Sequence, residues 1–373
     1  MDNETKYYGT AGKNVQEKFV KYLRQKFNDD LDAMNQEFGL DYWSNRINAW
    51  EDFPDIRGTI NGSLGAEFAF GGDMTRSLKH SNYLVLETEA QGFPGWTPYK
   101  GQLRLQAFSH LASGANSIMY WHWHSIHNSF ETYWKGLLSH DFQENDAYRE
   151  ACVIGQELTS IGTHLVDLKK KNEVAILVSN EALTALKWFG IEATAAGNSG
   201  IGYNDVVRWI YDALYRLNVE CDFVWPESEN FNDYKAIIVP ALYTASDELL
   251  DRLNSYVENG GYLVATFKTG FANENVKVSR EVQPHLLSKC LGVKYHQFTF
   301  PKNVKLSGKI IGTSDACEVK TFMELLIPDS AEVLASYEHY NWKEYAAITK
   351  NHYGNGVAVT WDVCSATVCW KRF

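Results

Sequence analysis

Glu87 is the side chain that the sequence most clearly places where chemistry can occur. Residues 83–87 read Tyr-Leu-Val-Leu-Glu, a continuous apolar run that ends in a carboxylate. Such a run is typical of a buried parallel strand whose C-terminal end opens on a site. A carboxylate there can attack a substrate or exchange a proton with it, and the alternative is a buried acid held in an ion pair. Glu89, two residues further on, competes for the same role.

Three histidines follow a second apolar run, residues 117–121. His122, His124 and His127 could suggest a metal site, but histidine spacing alone is weak support for one. Polar residues lining the mouth of a barrel are the interpretation that we favour. We therefore predict neither a metal nor an organic cofactor.

The elements around Glu87 follow a strand, helix, strand order. Apolar residues recur at helical spacing over residues 13–38, which predicts two helices there. A predicted helix over residues 102–113 separates the strand that ends at Glu87 from the strand at residues 117–121. A polar or charged group follows each of these strands, as in a (β/α) barrel.

A second pattern begins after the polar turn at residues 167–172. Strands and helices alternate again, which predicts a doubly wound parallel sheet in a separate domain. We place the boundary near residue 170, giving domains 1–170 and 171–373. The predicted strands are 174–178, 221–224, 236–239 and 262–265, and the predicted helices are 204–217 and 248–258.

Composition excludes several classes of function. The net charge of the 373-residue chain is -11, which argues against nucleic acid and anionic membrane as partners. No apolar run approaches the roughly 20 residues that span a bilayer, and the first residues do not resemble a signal peptide. We expect a soluble cytoplasmic protein with free thiols, because its cysteines form no CxxC pair or extracellular framework: Cys152, Cys221, Cys290, Cys317, Cys364 and Cys369.

The aromatic content of the chain is high, at 14%. Flat apolar rings with a polar tip suit the faces of sugars. Core packing alone would also explain them, so the composition is only a hint of a carbohydrate substrate.

Five segments in the same order along the chain resemble landmarks of the β-galactosidases of glycoside hydrolase family 42. Together they cover nearly the whole sequence, and this collinearity makes the resemblance specific. The segments are Asp2-Asn3-Glu4 with Tyr8-Gly9-Thr10, residues 35–44, Leu86-Glu87 with Gly95-Trp96, residues 130–136, and residues 234–243.

The resemblance implies a retaining glycosidase that cuts terminal β-galactosides. In this family an Asn-Glu pair closes the fourth barrel strand and supplies the acid/base, which makes Glu4 the acid/base and Asn3 a ligand of the neighbouring sugar hydroxyl. Glu87 then ends the seventh strand as the nucleophile. Retaining hydrolysis needs these two carboxyl groups about 5 Å apart, on either side of the bond that breaks.

The same resemblance suggests further substrate-binding residues. Trp43 and Trp96 match positions that wall the galactose subsite, and Glu131 matches an acid that accepts hydrogen bonds from sugar hydroxyls. Ordinary packing or a surface charge is the alternative for each. Trp134 stands where many relatives carry histidine, and residues 7–13 contain none of the cysteines through which some relatives bind zinc.

The second domain resembles the family's trimerisation domain, whose sheet is similar to that of glutamine amidotransferases. Residues 265–270 contain no cysteine, the residue that such enzymes place on a strand-to-helix turn. A structural role remains, and we expect a homotrimer.

The chain departs from the family pattern between Glu4 and Glu87. Residues 69–82 leave about 14 positions for two βα units that need roughly 30 each, which indicates an internal deletion near residues 68–69. If Glu4 ends the fourth strand, the first three barrel strands are also missing. Two hypotheses follow: a working β-galactosidase, or a catalytically inactive fragment that keeps an oligomerisation domain.

Overall fold

The fold is α/β, with the chain divided into two compact units, Met1–Lys169 and Lys170–Phe373. The computed structural model describes residues 5–8, 13–38, 46–50, 57–60, 65–92, 97–194, 197–198, 200–308, 310 and 318–365. Within these residues, no helix combines the length and the apolar character needed to cross a membrane.

The first unit alternates strands and helices over most of its length. In chain order its elements are β1 (Thr5–Tyr8), α1 (Lys13–Lys26), α2 (Leu31–Phe38), β2 (Arg57–Ile60), α3 (Gly65–Lys79), β3 (Tyr83–Glu89), α4 (Gln102–Ala112), β4 (Ala115–Trp121) and α5 (Asp146–Leu165).

Helices α1 and α2 are the two helices that the spacing of residues 13–38 predicts. Leu23 and Met34 pack with Ile47 and Trp50 in a small buried core. The buried Asn35 side chain donates to the carbonyl oxygen of Ile47 at 2.8 Å and accepts from its N–H at 2.8 Å. Both polar groups of Asn35 are thereby satisfied, which is what makes its burial tolerable.

Strands β3 and β4 are parallel neighbours joined by α4, so the predicted strand, helix, strand order is confirmed here. Helices α4 and α5 enclose a core of Leu103, Ala107 and Ile154. By contrast, Leu84 and Leu86 of β3 are 55% and 67% exposed. The two-stranded sheet therefore presents apolar side chains to solvent.

Helix α3 fills the chain between β2 and β3. Its Arg76 is buried and pairs with Asp73 at 2.6 Å. Arg76 also donates to the carbonyl oxygen of Ser113 at 2.8 Å, at the end of α4. The charge of this buried arginine is thus compensated twice, and α3 is joined to α4.

The second unit contains a longer series of elements. They are β5 (Val174–Leu177), α6 (Asn180–Trp188), β6 (Ala193–Thr194), β7 (Gly197–Asn198), α7 (Tyr203–Arg216), β8 (Cys221–Val224), β9 (Ala236–Val239), α8 (Asp247–Glu258), β10 (Tyr262–Thr266), α9 (Ser288–Leu291), β11 (Val293–Lys294), β12 (Phe298–Thr299), β13 (Lys305–Gly308), β14 (Val319–Glu324), β15 (Ile327–Pro328), β16 (Glu332–Glu338), β17 (Ala346–Tyr353), β18 (Gly356–Trp361) and β19 (Val363–Ser365).

An eight-stranded sheet organises this unit, in the order β13-β16-β17-β18-β10-β9-β5-β8. The five strands from β8 to β18 run parallel. Strands β17, β16 and β13 extend the sheet antiparallel to their neighbours. The strands predicted at residues 174–178, 221–224, 236–239 and 262–265 all belong to the parallel part, whereas the antiparallel extension was not predicted.

The hairpin between β17 and β18 requires glycine. Gly354 has a φ of 58°, and a Cβ there would lie 2.5 Å from the carbonyl oxygen of Glu258. A Cβ on Gly356 would lie 2.2 Å from the carbonyl oxygen of Val257. Both contacts are far closer than a side chain allows, so these glycines let β18 pack beside the end of α8.

Candidate active site

Glu87 lies near the C-terminal end of β3, in the parallel pair with β4. Thr88 and Glu89 pair with Tyr120 and Trp121, and the register shifts between Val85 and Thr88. Just beyond the strand, the N–H of Ala90 donates to the carbonyl oxygen of Trp121 at 3.0 Å. The irregular register falls at the predicted nucleophile, where bulges commonly redirect a side chain.

The structure distinguishes Glu87 from its competitor Glu89. Glu89 is half-buried, and its Oε2 accepts a hydrogen bond of 2.6 Å from the indole Nε1 of Trp134. The Glu87 side chain is exposed. Solvent and a substrate can therefore reach Glu87 more easily than the carboxylate that holds Trp134.

Glu131 lies in a tight turn that the Trp134 hydrogen bond joins to the end of β3. Thr132 Oγ1 donates to the carbonyl oxygen of Ser129 at 2.6 Å. The N–H of Trp134 donates to the carbonyl oxygen of Glu131 at 2.8 Å. Trp134 is buried and Glu131 is half-buried. Glu131 is three residues from Trp134, and Glu87 is two residues from Glu89, so the structure links the segments that carry both candidates.

Further contacts join the loop after β3 to the segment after Trp134. Gln91 Nε2 donates to the carbonyl oxygen of Gly136 at 2.7 Å. The N–H of Lys135 donates to the carbonyl oxygen of Gly92 at 3.3 Å. Lys135 Nζ also donates to Thr97 Oγ1 at 2.7 Å. Burial lowers the pKa of Lys135. Thr97 is the described residue that directly follows Trp96 in the sequence, and this bond joins it to Lys135.

Gly136 allows this segment to pass directly beneath the loop after β4. A Cβ at this position would lie 2.5 Å from the carbonyl carbon of His124 and 2.7 Å from the carbonyl oxygen of His122. The N–H of Leu137 donates to that oxygen of His122 at 2.7 Å. Only glycine fits this approach without displacing the backbone.

The predicted histidines His122, His124 and His127 form a row of rings after β4. Centroids of neighbouring rings lie 6.1 Å and 5.8 Å apart, and His140 continues the row 5.8 Å from His127. His127 Nε2 lies 2.7 Å from the carbonyl oxygen of His140. In the described part of the chain, no group of three or more His, Cys, Asp or Glu side chains is arranged to hold a metal ion.

His122 is held as a neutral ring. Burial lowers its pKa, the neighbouring His124 acts in the same direction, and a hydrogen bond to the backbone of Trp134 opposes them. Because burial dominates, the neutral form of this ring is favoured.

Four of the predicted site residues lie outside the described residues: Asn3, Glu4, Trp43 and Trp96. The residues directly after Glu4 are described, and they form β1. This strand pairs antiparallel with β2, from Thr5 opposite Ile60 to Tyr8 opposite Arg57. The resemblance implied a parallel barrel strand ending at Glu4, and the antiparallel pair that follows it was not predicted.

Sequence reasoning missed the partnership of Glu89 and Trp134. It noted each residue separately, as a competing carboxylate and as a departure from the family histidine. A usable signal was present, because a buried tryptophan needs an acceptor for its indole N–H, and a carboxylate near the site could supply one. Lys135 and His140 carried no comparable signal.

Comparison with known proteins decides the family. The profile described as "Beta-galactosidase trimerisation domain" matches residues 172–363, and the profile described as "Beta-galactosidase" matches residues 1–61 and 59–161. This chain belongs to glycoside hydrolase family 42. The resemblance drawn from the sequence is thereby confirmed.

Curated relatives of this family-42 chain are themselves β-galactosidases. The chain is 27% identical over 372 residues to the β-galactosidase bgaB of Geobacillus kaustophilus, covering 95% of this chain and 54% of that protein. It is 30% identical over 295 residues to BgaA of Clostridium cellulovorans, covering 77% of this chain and 43% of that protein. This family-42 chain therefore spans about half the length of the curated relatives that it matches.

Solved structures agree on the fold. The β-galactosidase of Bacillus circulans sp. alkalophilus superposes with a TM-score of 0.74 at 19% identity, covering 97% of this chain and 65% of that one. Gan42B, a family-42 β-galactosidase from G. stearothermophilus, gives a TM-score of 0.75 at 20% identity, covering 98% and 65%. At these identities the likeness of the family-42 chain to them concerns the fold alone.

Proposed function

We propose that this chain derives from a retaining β-galactosidase with Glu4 as acid/base and Glu87 as nucleophile. When the barrel is complete, the chain acts as that enzyme. The observation that carries the proposal is the exposed residue Glu87 near the end of β3, beside the parallel strand β4, in a chain of family 42. The substrate class is a terminal β-D-galactoside.

In the proposed reaction, Glu4 protonates the glycosidic oxygen while the Glu87 carboxylate attacks the anomeric carbon. The bond to the leaving group breaks as the bond to Glu87 forms, which gives a covalent glycosyl-enzyme. Glu4 then removes a proton from water, and the water oxygen displaces Glu87. Two inversions leave the β configuration unchanged.

Substrate contacts complete the proposal. Asn3 hydrogen-bonds the hydroxyl next to the reacting carbon, Trp43 and Trp96 wall the galactose, and Glu131 accepts from sugar hydroxyls. For Glu131 the support is the hydrogen bond between Trp134 and Glu89, which links its turn to the strand of Glu87. For Trp96 it is the bond between Lys135 and Thr97.

We propose residues 1–170 as a partial (β/α) barrel and residues 171–373 as the trimerisation domain, with homotrimers as the assembly. An internal deletion near residues 68–69 is supported by the short stretch between β2 and β3, in which the described residues form one helix, α3. The family match is divided a few residues earlier, at residues 59–61. The five parallel strands lie side by side in the order β8-β5-β9-β10-β18. Numbered by their order along the chain, this is the sheet order 2-1-3-4-5, which supports a flavodoxin- or amidotransferase-like domain. A cytoplasmic location is supported by cysteines that form no extracellular framework.

The alternative function is a catalytically inactive fragment that retains the oligomerisation domain. The exposed Leu84 and Leu86 favour it for the chain by itself, since the inner face of a complete barrel is packed. Catalysis also requires both carboxyl groups to be held at a fixed separation, which a loosely packed barrel does not provide.

One experiment separates the two functions. The chain and a version completed with the missing barrel segments of a family-42 relative are assayed with an aryl β-galactoside, each with Glu87→Gln and Glu89→Gln variants. We expect the isolated chain to be inactive and the completed enzyme active. In the completed enzyme, Glu87→Gln should lower turnover by several orders of magnitude, and Glu89→Gln should lower it far less.

Near wild-type turnover in the Glu87→Gln enzyme would overturn the nucleophile assignment. Hydrolysis by the isolated chain that disappears in Glu87→Gln would rule out the inactive fragment.

A further inference from the structure

Lys268 occupies a fixed turn at the end of β10, in the second unit. Its φ is 60°, and its N–H donates to Oε1 of the buried Glu324 at 2.8 Å. Thr269 Oγ1 donates to the carbonyl oxygen of Thr266 at 2.7 Å and closes the turn. This is the segment in which an amidotransferase would carry its cysteine, and no helix follows directly.

The Lys268 amine is covered by aromatic rings. Its Nζ lies 4.2 Å from the ring centroid of Phe322 and 5.7 Å from that of Tyr243. Further rings surround this pair with centroids 5.4–6.2 Å apart, and Phe298 and Phe300 are each 49% exposed. We call this set the aromatic recess: Tyr243, Phe271, Phe298, Phe300 and Phe322.

In the part of the chain that the structure describes, no carboxylate lies within ion-pair distance of Lys268 Nζ. Burial lowers the pKa of Lys268, and the charge of Glu324 opposes this only in part. The side chain is half-buried, so small molecules can still reach Nζ.

Glu324 is the nearest carboxyl group to the recess, and it is paired with a second buried acid. It is fully buried, its N–H donates to Oδ2 of Asp362 at 2.9 Å, and burial raises the pKa of both carboxyl groups. The two groups cannot readily both ionise, so the pair carries about one negative charge rather than two.

We propose that Lys268 is a covalent modification site for aldehydes, with aromatic aldehydes preferred. The neutral Nζ attacks the carbonyl carbon, one of its protons passes to the carbonyl oxygen, and a neutral carbinolamine forms. The carbinolamine then loses water as the C=N bond forms, which leaves an imine on Lys268. No oxidant or reductant takes part in these steps.

The preference for an aromatic aldehyde follows from the recess. An aryl ring bound beside Lys268 can stack on Phe322 or Phe298, and such ring pairs contribute about 0.5–1.5 kcal/mol beyond area burial. A small aliphatic aldehyde gains no such contact. The inference concerns the second unit and does not depend on the proposed β-galactosidase activity.

The test treats the whole chain with benzaldehyde or acetaldehyde, reduces the imines with cyanoborohydride, and maps the modified lysines by peptide mass spectrometry. Lys343, whose side chain is 69% exposed, is the internal reference. At pH 7 we expect benzaldehyde to modify Lys268 faster than Lys343, by about tenfold for each unit by which the Lys268 pKa lies lower. The rate at Lys268 should also reach half its maximum at a lower pH.

A Phe322→Leu variant tests the recess while keeping the amine, and the ratio of benzaldehyde to acetaldehyde modification at Lys268 should fall towards that at Lys343. If this variant fails to fold, Phe298→Leu removes a more exposed ring. The wild-type chain alone also decides the matter. Equal rates at Lys268 and Lys343, or an equal preference for the two aldehydes at both sites, would overturn the proposal.

Discussion

The indole nitrogen of Trp134 donates to the Glu89 carboxylate at 2.6 Å, across 45 residues of sequence. This bond joins the end of β3 to the turn that carries Glu131. It also occupies the carboxylate that competes with Glu87 for the nucleophile position. The bond therefore joins the two segments that carry the candidate residues Glu87 and Glu131.

Removing the indole N–H should loosen the candidate site. Trp134→Phe leaves the half-buried Glu89 without this donor, and a hydrogen bond to a charged group typically contributes about 1.5–3 kcal/mol. We expect faster hydrogen exchange in peptides that cover residues 83–92 and 131–137. Tyr133→Phe is the control, because Tyr133 is 67% exposed. Equal exchange in the two variants would contradict a structural role for the bond.

Two glycines of the first unit should respond oppositely to alanine. A Cβ on Gly136 would lie 2.5 Å from the His124 carbonyl carbon, whereas a Cβ on Gly155, within helix α5, meets nothing within 4 Å. Gly136→Ala should therefore destabilise the unit, and Gly155→Ala should stabilise it by about 0.5–1 kcal/mol through helix propensity. Denaturant unfolding followed by circular dichroism measures both. A neutral Gly136→Ala would show that the backbone yields easily.

The buried carboxyl pair should make the second unit less stable at alkaline pH. Burial raises the pKa values of Glu324 and Asp362, and the charge of Glu324 raises that of Asp362 further. Lys268, Tyr295 and Tyr337 are the other titratable groups near them. Their contribution to the free energy of unfolding is fully present below the unfolded pKa of about 4. It is lost as the pH rises through the folded values.

Glu324→Gln keeps an acceptor for the Lys268 N–H and removes one of the two acids. We expect its free energy of unfolding to fall less between pH 5 and pH 9 than that of the wild type, measured by denaturant titration at each pH. Glu338→Gln is the control, since Glu338 is exposed on β16. The same pH slope in all three proteins would show that the pair does not control it.

Residues 170–365 should fold alone and self-associate. This segment contains the eight-stranded sheet and Asp362, and it includes the residues that match the trimerisation profile. Apolar side chains such as Trp188 and Phe189 are exposed on it, 76% and 53%, and are available for subunit contacts. Sedimentation equilibrium measures the mass. A folded monomer at micromolar concentration would rule out an autonomous trimerisation role.

Local sequence determined much of the secondary structure. The apolar run at residues 83–87 predicted β3, and helical spacing predicted α1, α2, α4, α7 and α8 near their observed bounds. Strands β5, β8, β9 and β10 were found for the same reason, because parallel strands buried on both faces read as continuous apolar runs. Ordered landmarks along the chain were sufficient to identify family 42.

Only the tertiary structure decided which side chains meet. The antiparallel strands β16 and β17 were missed because they lie outside the βα alternation that guided the prediction. The bond from Trp134 to Glu89, the pairing of Glu324 with Asp362 across 38 residues, and the rings around Lys268 all join distant parts of the chain. Periodicity reports which face of an element is buried, whereas partners across such distances are fixed by how the elements pack.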